Sequence, residues 1–161
     1  MAGQTEAVRL MSPSSQGDWA DGRRLVGEYI DSLGVDLSFQ GLEEELAHFT
    51  DEYGPPTAAF LLAEMNGVRV GCAGLRRFSA DVGEMKRLYV TPGGRGRGLG
   101  RMLAARIVAT ARELGYGRLV LDTLPLMVEA RELYRTMGFV ATEPYRFNPV
   151  VGTAFLELDL S

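Results

Sequence analysis

The sequence is poor in the residues that build covalent or metal-bound frameworks. It holds one cysteine, Cys72, and one histidine, His48, among 161 residues. A single cysteine cannot close a disulfide within the chain, and its surroundings are typical of a small core residue. A single histidine without neighbours at ligand spacing favours neither a metal site nor a Ser-His-Asp triad. We therefore expect a fold without a metal, in a reducing compartment such as the cytoplasm.

Long apolar runs and an excess of basic charge are also missing. No window approaches the about 18 apolar residues of a membrane-spanning helix, and the polar start at 1–5 does not look like a signal peptide. The net charge of −4 argues against a dedicated nucleic-acid-binding protein. Hydrophobic residues make up 46% and charged residues 24%, as in soluble globular domains. We expect one domain over 1–161, without a nucleic-acid or membrane partner.

Hydrophobic periodicity predicts a mixture of strands and helices. Asn66-Gly67, between two apolar runs, predicts a hairpin, because both residues can adopt the positive φ of a type I′ turn. Glycines that follow apolar stripes mark helix ends. Strands are predicted at 7–11, 58–65, 68–75, 84–90, 119–123, 139–142 and 153–160, and helices at 18–33, 42–49, 99–114 and 126–137. This order favours one mixed sheet in an α/β or α+β domain.

A turn rich in glycine and arginine, Arg95-Gly96-Arg97-Gly98-Leu99-Gly100, is the most informative segment. A strand is predicted to end before it, at Val90, and a helix to begin within it. The first N–H groups of a helix lack partners within the helix, and the helix dipole adds positive character there. Glycines let a ligand approach the backbone, and the arginines, with Arg101 behind them, add charge. The segment therefore favours a diphosphate group.

Other glycine motifs fit this turn less well. A Walker A loop requires Lys and then Ser or Thr after its last glycine, whereas Leu99 follows Gly98. The last glycine of the Rossmann pattern would fall on Leu99, Arg101 or Leu103, depending on the register. An arginine-glycine RNA-binding tail would be disordered, but a strand and a helix frame this segment. A plain turn with solvated arginines is the alternative left open.

The remaining spacing, Arg95-x-x-Gly98-x-Gly100, resembles the pyrophosphate-binding loop of the GNAT superfamily of N-acetyltransferases. The strand at 84–90 is similar to the splayed central strand of that family, and Ala130-x-x-Leu133-Tyr134-x-x-x-Gly138-Phe139 is similar to its second conserved block. The resemblance covers about 68–160. It implies a GNAT-like, mostly antiparallel mixed sheet of about seven strands flanked by about four helices. It also implies that acetyl-CoA donates an acetyl group directly to an amine in a ternary complex, without a metal.

The same resemblance assigns the donor substrate to particular residues. The turn would hold the diphosphate of acetyl-CoA, and the backbone of the preceding strand would hold the pantetheine arm. A backbone N–H near Val90 would polarise the acetyl carbonyl. The cofactor-binding residues implied are Leu88, Tyr89, Val90, Arg95, Gly96, Arg97, Gly98, Leu99, Gly100 and Arg101. Many relatives also carry an asparagine that contacts the pantetheine, and Met127 stands in its place here.

Two side chains are candidates for proton transfer. Glu84 occupies a position where several family members place a general base, and burial in a cleft would raise its pKa and help it to accept a proton. The alternatives are an exposed or salt-bridged Glu84 near Lys86 or Arg87, and a base formed by another residue or by a chain of waters. Tyr134 matches a tyrosine that in many relatives protonates the departing thiolate, and the alternative is a core aromatic residue.

The acceptor is much less closely specified. In this superfamily, selectivity comes mostly from the first two helices with their connecting loop, here 34–40, and from the segment before the last strand, here 143–150. A carboxylate in the first segment could attract an amine, and an arginine in the second could pair with a carboxylate. The substrate-binding candidates are Asp36, Phe39, Tyr145 and Arg146.

The expected acceptor is a small-molecule amine or an amino-acid-like compound. A protein lysine or N-terminus is the alternative acceptor. A non-catalytic acyl-CoA-binding module and a nucleotide-binding regulatory domain are the alternative functions, and a homodimer stays open.

Overall fold

The computed structural model describes residues 7–34, 36 and 41–161. Seven strands in these residues form one sheet in the order β1-β2-β3-β4-β5-β7-β6. The strands are β1 (Val8–Met11), β2 (Ala59–Met65), β3 (Val68–Arg77), β4 (Val82–Val90), β5 (Arg118–Thr123), β6 (Val140–Ala141) and β7 (Ala154–Asp159). The helices are α1 (Gln16–Leu33), α2 (Leu42–Ala47), α3 (Phe49–Tyr53), α4 (Leu99–Glu113) and α5 (Val128–Thr136).

The mixed sheet predicted from the periodicity is confirmed. Its strands pair antiparallel except for β4 and β5, which run parallel. The predicted hairpin joins β2 to β3, and Asn66 and Gly67 have φ values of 52° and 82°. The helix expected at 42–49 is instead two short helices that meet at the non-helical residue His48. The break turns Phe49 into the core, where its ring lies 4.9 Å from that of Phe60.

Helices cover both faces of the sheet. The stripe Leu99, Leu103 and Ile107 of α4 is buried on one face, and α1 and α3 bury Leu25 and Phe49 on the other. Each such side chain stabilises the fold by about 1.5–3 kcal/mol, which explains why the apolar periodicity predicts the helices so well. In the part of the chain described, no helix is long and apolar enough to cross a membrane.

The sheet opens in its centre. β4 and β5 pair over three residues of each strand, from Val82 to Glu84 in β4 and from Arg118 to Val120 in β5. Beyond Glu84, β4 continues along β3 while β5 continues along β7. The two parallel strands therefore diverge and leave a wedge between them.

A β-bulge on β4 changes which side chains face this wedge. Between two paired positions, β3 advances two residues, from Cys72 to Gly74, while β4 spans three, from Tyr89 to Lys86. Arg87, within the bulge, has a φ of 62°. Gly74 faces α3, where a Cβ would lie 2.5 Å from a tyrosine ring. Lys86 pairs with Gly74 and shares its face, and the extra residue brings Arg87 to that face as well.

Candidate active site

A groove runs along the open edge of β4 as far as the glycine-arginine turn. It encloses about 540 Å³, within the range of ligand pockets. Residues between Leu126 and Leu133, which include the start of α5, form its other wall. Eight of the ten predicted cofactor-binding residues line it: Leu88, Tyr89, Val90, Arg95, Gly96, Gly98, Leu99 and Gly100. The other two, Arg97 and Arg101, are exposed, and Arg101 donates a hydrogen bond to Thr136 of α5 at 2.8 Å.

The turn ends in a helix start that can receive an anion. Gly96 and Gly98 have φ values of 79° and 73°, a conformation that glycine adopts without strain. Gly98 is the N-cap residue of α4 and offers no side-chain acceptor to the first N–H groups of the helix. These donors lie at the positive end of the helix dipole. The groove therefore ends at a helix start of the kind that suits an anion, and phosphate binding there stays a prediction.

The other end of the groove continues into a narrow cleft inside the wedge. Tyr29, Leu33, Leu88 and Met127 line both the groove and the cleft. The deeper residues of the cleft are Met85, Lys86, Arg87, Leu121, Asp122, Thr123, Leu124, Tyr134 and Asn148. The cleft encloses about 30 Å³ and joins the groove beside Leu88.

Glu84 lies fully buried where β4 and β5 begin to diverge. Its Oε1 accepts hydrogen bonds from Arg76 Nε at 3.1 Å and Arg146 Nη2 at 2.7 Å, and its Oε2 accepts one from the Tyr145 hydroxyl at 2.7 Å. Burial acts to raise the pKa of Glu84, but the charges of Lys86, Arg76 and Arg146 outweigh it and lower the pKa. The expected rise in the pKa of Glu84 is therefore wrong in direction. Its role as general base stays a prediction, and these partners oppose it.

Tyr134 is part of the cleft lining. It is buried, and its ring packs 5.5 Å from that of Phe139. Burial raises the pKa of its hydroxyl, with a smaller contribution from Tyr29 and Asp122. The phenol therefore keeps its proton at neutral pH and can donate a hydrogen bond into the cleft. Its role as proton donor stays a prediction.

A second buried carboxylate fixes the bulge to α2. Glu45 accepts hydrogen bonds from Arg87 Nε and Nη2, both at 2.9 Å, and from the Tyr53 hydroxyl at 2.9 Å. Burial acts to raise the pKa of Glu45, but Arg87 reverses the effect and lowers it. Arg76 connects this cluster to Glu84, because its Nη1 lies 3.4 Å from Glu45 Oε1. The network joins α2, α3, β3 and β4 around the wedge.

The segment before β7 closes the wedge from outside. Tyr145 and Arg146, both predicted to contact the acceptor, bind Glu84 and are not part of the cleft lining. Asn148 Nδ2 donates to Asp122 Oδ2 at 3.1 Å. In the other predicted segment, Asp36 is exposed, while Phe39 lies outside the described residues.

Two residues of the cleft, Lys86 and Asp122, were not identified as site residues from the sequence. Lys86 is the only lysine in a chain with sixteen arginines, and it is 5% exposed. Burial lowers its pKa to about 8, although Glu84 and Asp122 act in the opposite direction. The isolated lysine was a usable signal, since buried lysines titrate readily whereas arginine stays charged. The signal from Asp122 was a charge within the apolar run 119–123.

A metal centre finds no support in the described part of the chain. No group of three or more His, Cys, Asp or Glu side chains there could hold a metal ion. Cys72 is buried, and its thiol donates to the Arg87 carbonyl at 3.3 Å. Burial raises the pKa of this thiol, so Cys72 is a packed core residue rather than a nucleophile.

Comparison with known proteins gives a consistent result. The model of the acetyltransferase (GNAT) family matches residues 25–139. An uncharacterized N-acetyltransferase of Schizosaccharomyces pombe is 40% identical over 146 residues, which cover 89% of this chain and 90% of that protein. A GNAT-family acetyltransferase structure from Staphylococcus aureus has a TM-score of 0.79 at 19% identity and covers 96% of this chain and 100% of that one. A Salmonella typhimurium protein, solved with its cofactor acetyl-CoA, has a TM-score of 0.71 at 22% identity, with coverage of 96% and 95%.

Proposed function

Because the chain belongs to the acetyltransferase (GNAT) family, we propose that it moves the acetyl group of acetyl-CoA directly to the amine of a small molecule in a ternary complex. The observation that carries this proposal is the meeting of groove and cleft. They share four lining residues beside Leu88, beyond the last residue of β4 that pairs with β5. A thioester lying along β4 would thus face a second molecule in the cleft. The expected location of the enzyme is the cytoplasm.

The donor substrate has a defined place in this proposal. Its diphosphate would bind at the start of α4, with Arg95 and the flanking backbone N–H groups around it. Its pantetheine arm would follow the backbone of β4 from Val90 to Leu88, whose side toward β5 is unpaired beyond Glu84. Met127 lies beside this path, with its sulfur 3.7 Å from the Tyr29 hydroxyl. A thioether would therefore contact the arm where an asparagine would have formed a hydrogen bond.

The reaction itself exchanges one bond for another. The neutral amine nitrogen attacks the acetyl carbon, a C–N bond forms, and the C–S bond breaks to release the CoA thiolate. If the acceptor is an ammonium group, it first loses one proton to solvent and becomes the neutral amine. The nitrogen loses a second proton as the C–N bond forms, and the departing sulfur gains one, so the transfer step has no net change in protons. A backbone N–H near Val90 would stabilise the charge that develops on the carbonyl oxygen.

Tyr134 is the proposed donor to the departing sulfur. Its hydroxyl keeps its proton because burial raises its pKa. A hydrogen bond to sulfur becomes stronger as the thiolate forms, so the contact favours the transition state over the bound thioester. On the amine side, we propose that water in the cleft accepts the proton, while Glu84 holds Arg76 and Arg146 in place. The three hydrogen bonds to Glu84 support this assignment.

Two measurements test the proposed function. Acetyl-CoA and CoA should raise the melting temperature because they bind the native state, whereas ATP, which lacks the pantetheine arm, should raise it much less. Release of CoA thiol should then be followed across amines, amino acids and peptides. Arg95→Ala should weaken the shift caused by acetyl-CoA, while Arg106→Ala, which removes an exposed arginine further along α4, should leave it unchanged.

The alternatives predict different results. A non-catalytic acyl-CoA-binding module would show the thermal shift but release no thiol with any amine. A protein acetyltransferase would release thiol only with peptides. An equal shift with ATP would favour a nucleotide-binding domain, and no shift with acetyl-CoA would contradict the donor site altogether.

A further inference from the structure

We propose that the acceptor is a small zwitterion, an amine that also carries a carboxylate, and that its charged ends enter the cleft toward Lys86 and Asp122. This proposal rests on the proposed function, because it names the substrate class for the same reaction. The two residues come from the diverging strands β4 and β5, and both line the cleft. The acceptor would therefore bridge the wedge.

The position of the cleft restricts what can bind there. It begins beside Leu88 and Tyr29, where it joins the groove, and Asn148 of the segment before β7 is part of its lining. The cleft encloses about 30 Å³, so it takes only the charged end groups of an acceptor, and the rest of the acceptor lies where cleft and groove join. An acceptor amine must reach the thioester from this side, because the groove itself is the path for the donor. The lining is charged at its inner end, so the bound molecule must carry polar groups that match it.

The arrangement of charge in the cleft favours a zwitterion over a plain amine. The bulge puts two consecutive cations on the same face of β4, and Arg87 is held there by two hydrogen bonds to Glu45. Glu84 and Asp122 act on Lys86 as negative charges, and Arg87 and Arg76 act on it as positive ones. A plain ammonium group would bring a further positive charge beside Lys86 in a buried site. A zwitterion adds no net charge, and its two ends can replace the attraction between Lys86 and Asp122.

The orientation of the acceptor follows from the groups beside each charge. Asp122 and Tyr134 line the same cleft, and Asp122 adds to the effect of burial and Tyr29 in raising the pKa of the Tyr134 hydroxyl. Asn148 fixes the Asp122 carboxylate, since its Nδ2 donates to Oδ2 at 3.1 Å while its own Oδ1 accepts from Val150 N at 3.0 Å. An ammonium group at Asp122 would therefore lie on the side of the leaving sulfur. The carboxylate would point away from the reaction centre, toward Lys86.

The test compares acceptors that differ only in the carboxylate. Small α-amino acids are assayed beside their carboxamides and their decarboxylated amines, with acetyl-CoA as donor and CoA thiol release as the readout. The wild-type protein should prefer the acid over its amide at least 10-fold in kcat/KM. Lys86→Met should raise KM for the acid and remove the preference, and Lys86→Arg should restore most of it. Arg77→Met, which removes an exposed cation of β3, should leave the preference unchanged.

Asp122→Asn tests the other half of the site. It should lower kcat/KM for acid and amide alike, because both carry the amine. An equal loss for both in Lys86→Met would instead overturn the proposed contact between Lys86 and the carboxylate. Wild-type protein that accepts plain amines as well as it accepts acids would overturn the zwitterion.

A binding measurement separates this proposal from the proposed function. With CoA present at saturation, an amino acid should raise the melting temperature further, its carboxamide should not, and Lys86→Met should lose the additional shift. If CoA shifts the melting temperature and no amino acid adds to it, the acceptor proposal fails while the donor site stands. If neither acetyl-CoA nor CoA produces a shift, the proposed function fails first.

Discussion

Replacing Lys86 by methionine should stabilise the protein at neutral pH. The folded state holds the pKa of Lys86 at about 8 instead of 10.5, because the side chain is buried. The unfolded chain therefore binds a proton more tightly than the folded one. The free energy of unfolding therefore rises as the pH increases from about 8 to 10.5. At pH 7, Lys86 is protonated in both states, and the free energy of unfolding is lowered by the whole difference between the two pKa values. At about 1.4 kcal/mol per pKa unit, protonated Lys86 lowers the free energy of unfolding by about 3 kcal/mol.

Methionine keeps most of the length of the side chain and removes the charge. Lys86→Met should therefore raise the free energy of unfolding at pH 7 by up to about 3 kcal/mol, which for a domain of this size corresponds to roughly 6–12 °C in melting temperature. Near pH 10.5 the folded wild-type protein carries a neutral lysine, and the difference between the two proteins should become small. Urea unfolding at pH 7 and pH 10 measures both values.

Arg77→Met serves as the control, since it removes an exposed cation from the neighbouring strand and should give no such gain. A Lys86→Met protein that is less stable than wild type at pH 7 would show that Lys86 acts mainly as a structural counter-charge for Glu84 and Asp122. A gain that stays constant from pH 7 to pH 10 would show that burial of the charge is not its cause.

Three further changes give separate tests. Glu84→Gln removes a carboxylate that accepts hydrogen bonds from Arg76 and Arg146; it should lower the free energy of unfolding in urea by about 3–5 kcal/mol, because buried cations lose their partner. Folding lowers the pKa of Glu84, so the stability that its carboxylate provides is lost as the pH falls through the folded pKa. The difference in free energy of unfolding between the wild-type protein and Glu84→Gln should therefore shrink in acid. A difference that is equal at pH 7 and pH 3 would contradict this reasoning. Tyr134→Phe should lower kcat by about 10²-fold while the acetyl-CoA thermal shift persists, and an unchanged kcat would remove the donor role. Leu103→Ala should cost about 2–5 kcal/mol in urea, since this side chain of α4 is fully buried; a cost below 1 kcal/mol would contradict the packing.

Local patterns in the sequence were sufficient for most of the fold. The hairpin at Asn66-Gly67 and the apolar stripe of α4 depend on residues close together in the chain, and both are confirmed. The break between α2 and α3 was not predicted, because it depends on the packing of Phe49 against Phe60 in a strand that follows later. Periodicity over 42–49 alone cannot distinguish one helix from two.

The site was predictable to different extents on its two sides. The glycine-arginine turn is contiguous, so its spacing alone indicates a phosphate-binding loop. The surroundings of Glu84 depend on Arg146 and Tyr145, some 60 residues away, and no local pattern joins them. The charge of the cleft depends on a bulge at Lys86 and Arg87 that no glycine marks. Without the bulge, strict alternation would have placed these two cations on opposite faces.

The short parallel junction between β4 and β5 also has a consequence for how the molecule holds together. Only three residue pairs join the antiparallel strands β1–β4 to the strands β5–β7, so the sheet has a seam in its centre. The groove crosses this seam, with β4 on one side and α5 on the other. A molecule lying in the groove would touch both halves, and part of its binding energy would oppose their separation. Acetyl-CoA, if it binds as proposed, would then also stabilise the junction between the two halves of the sheet.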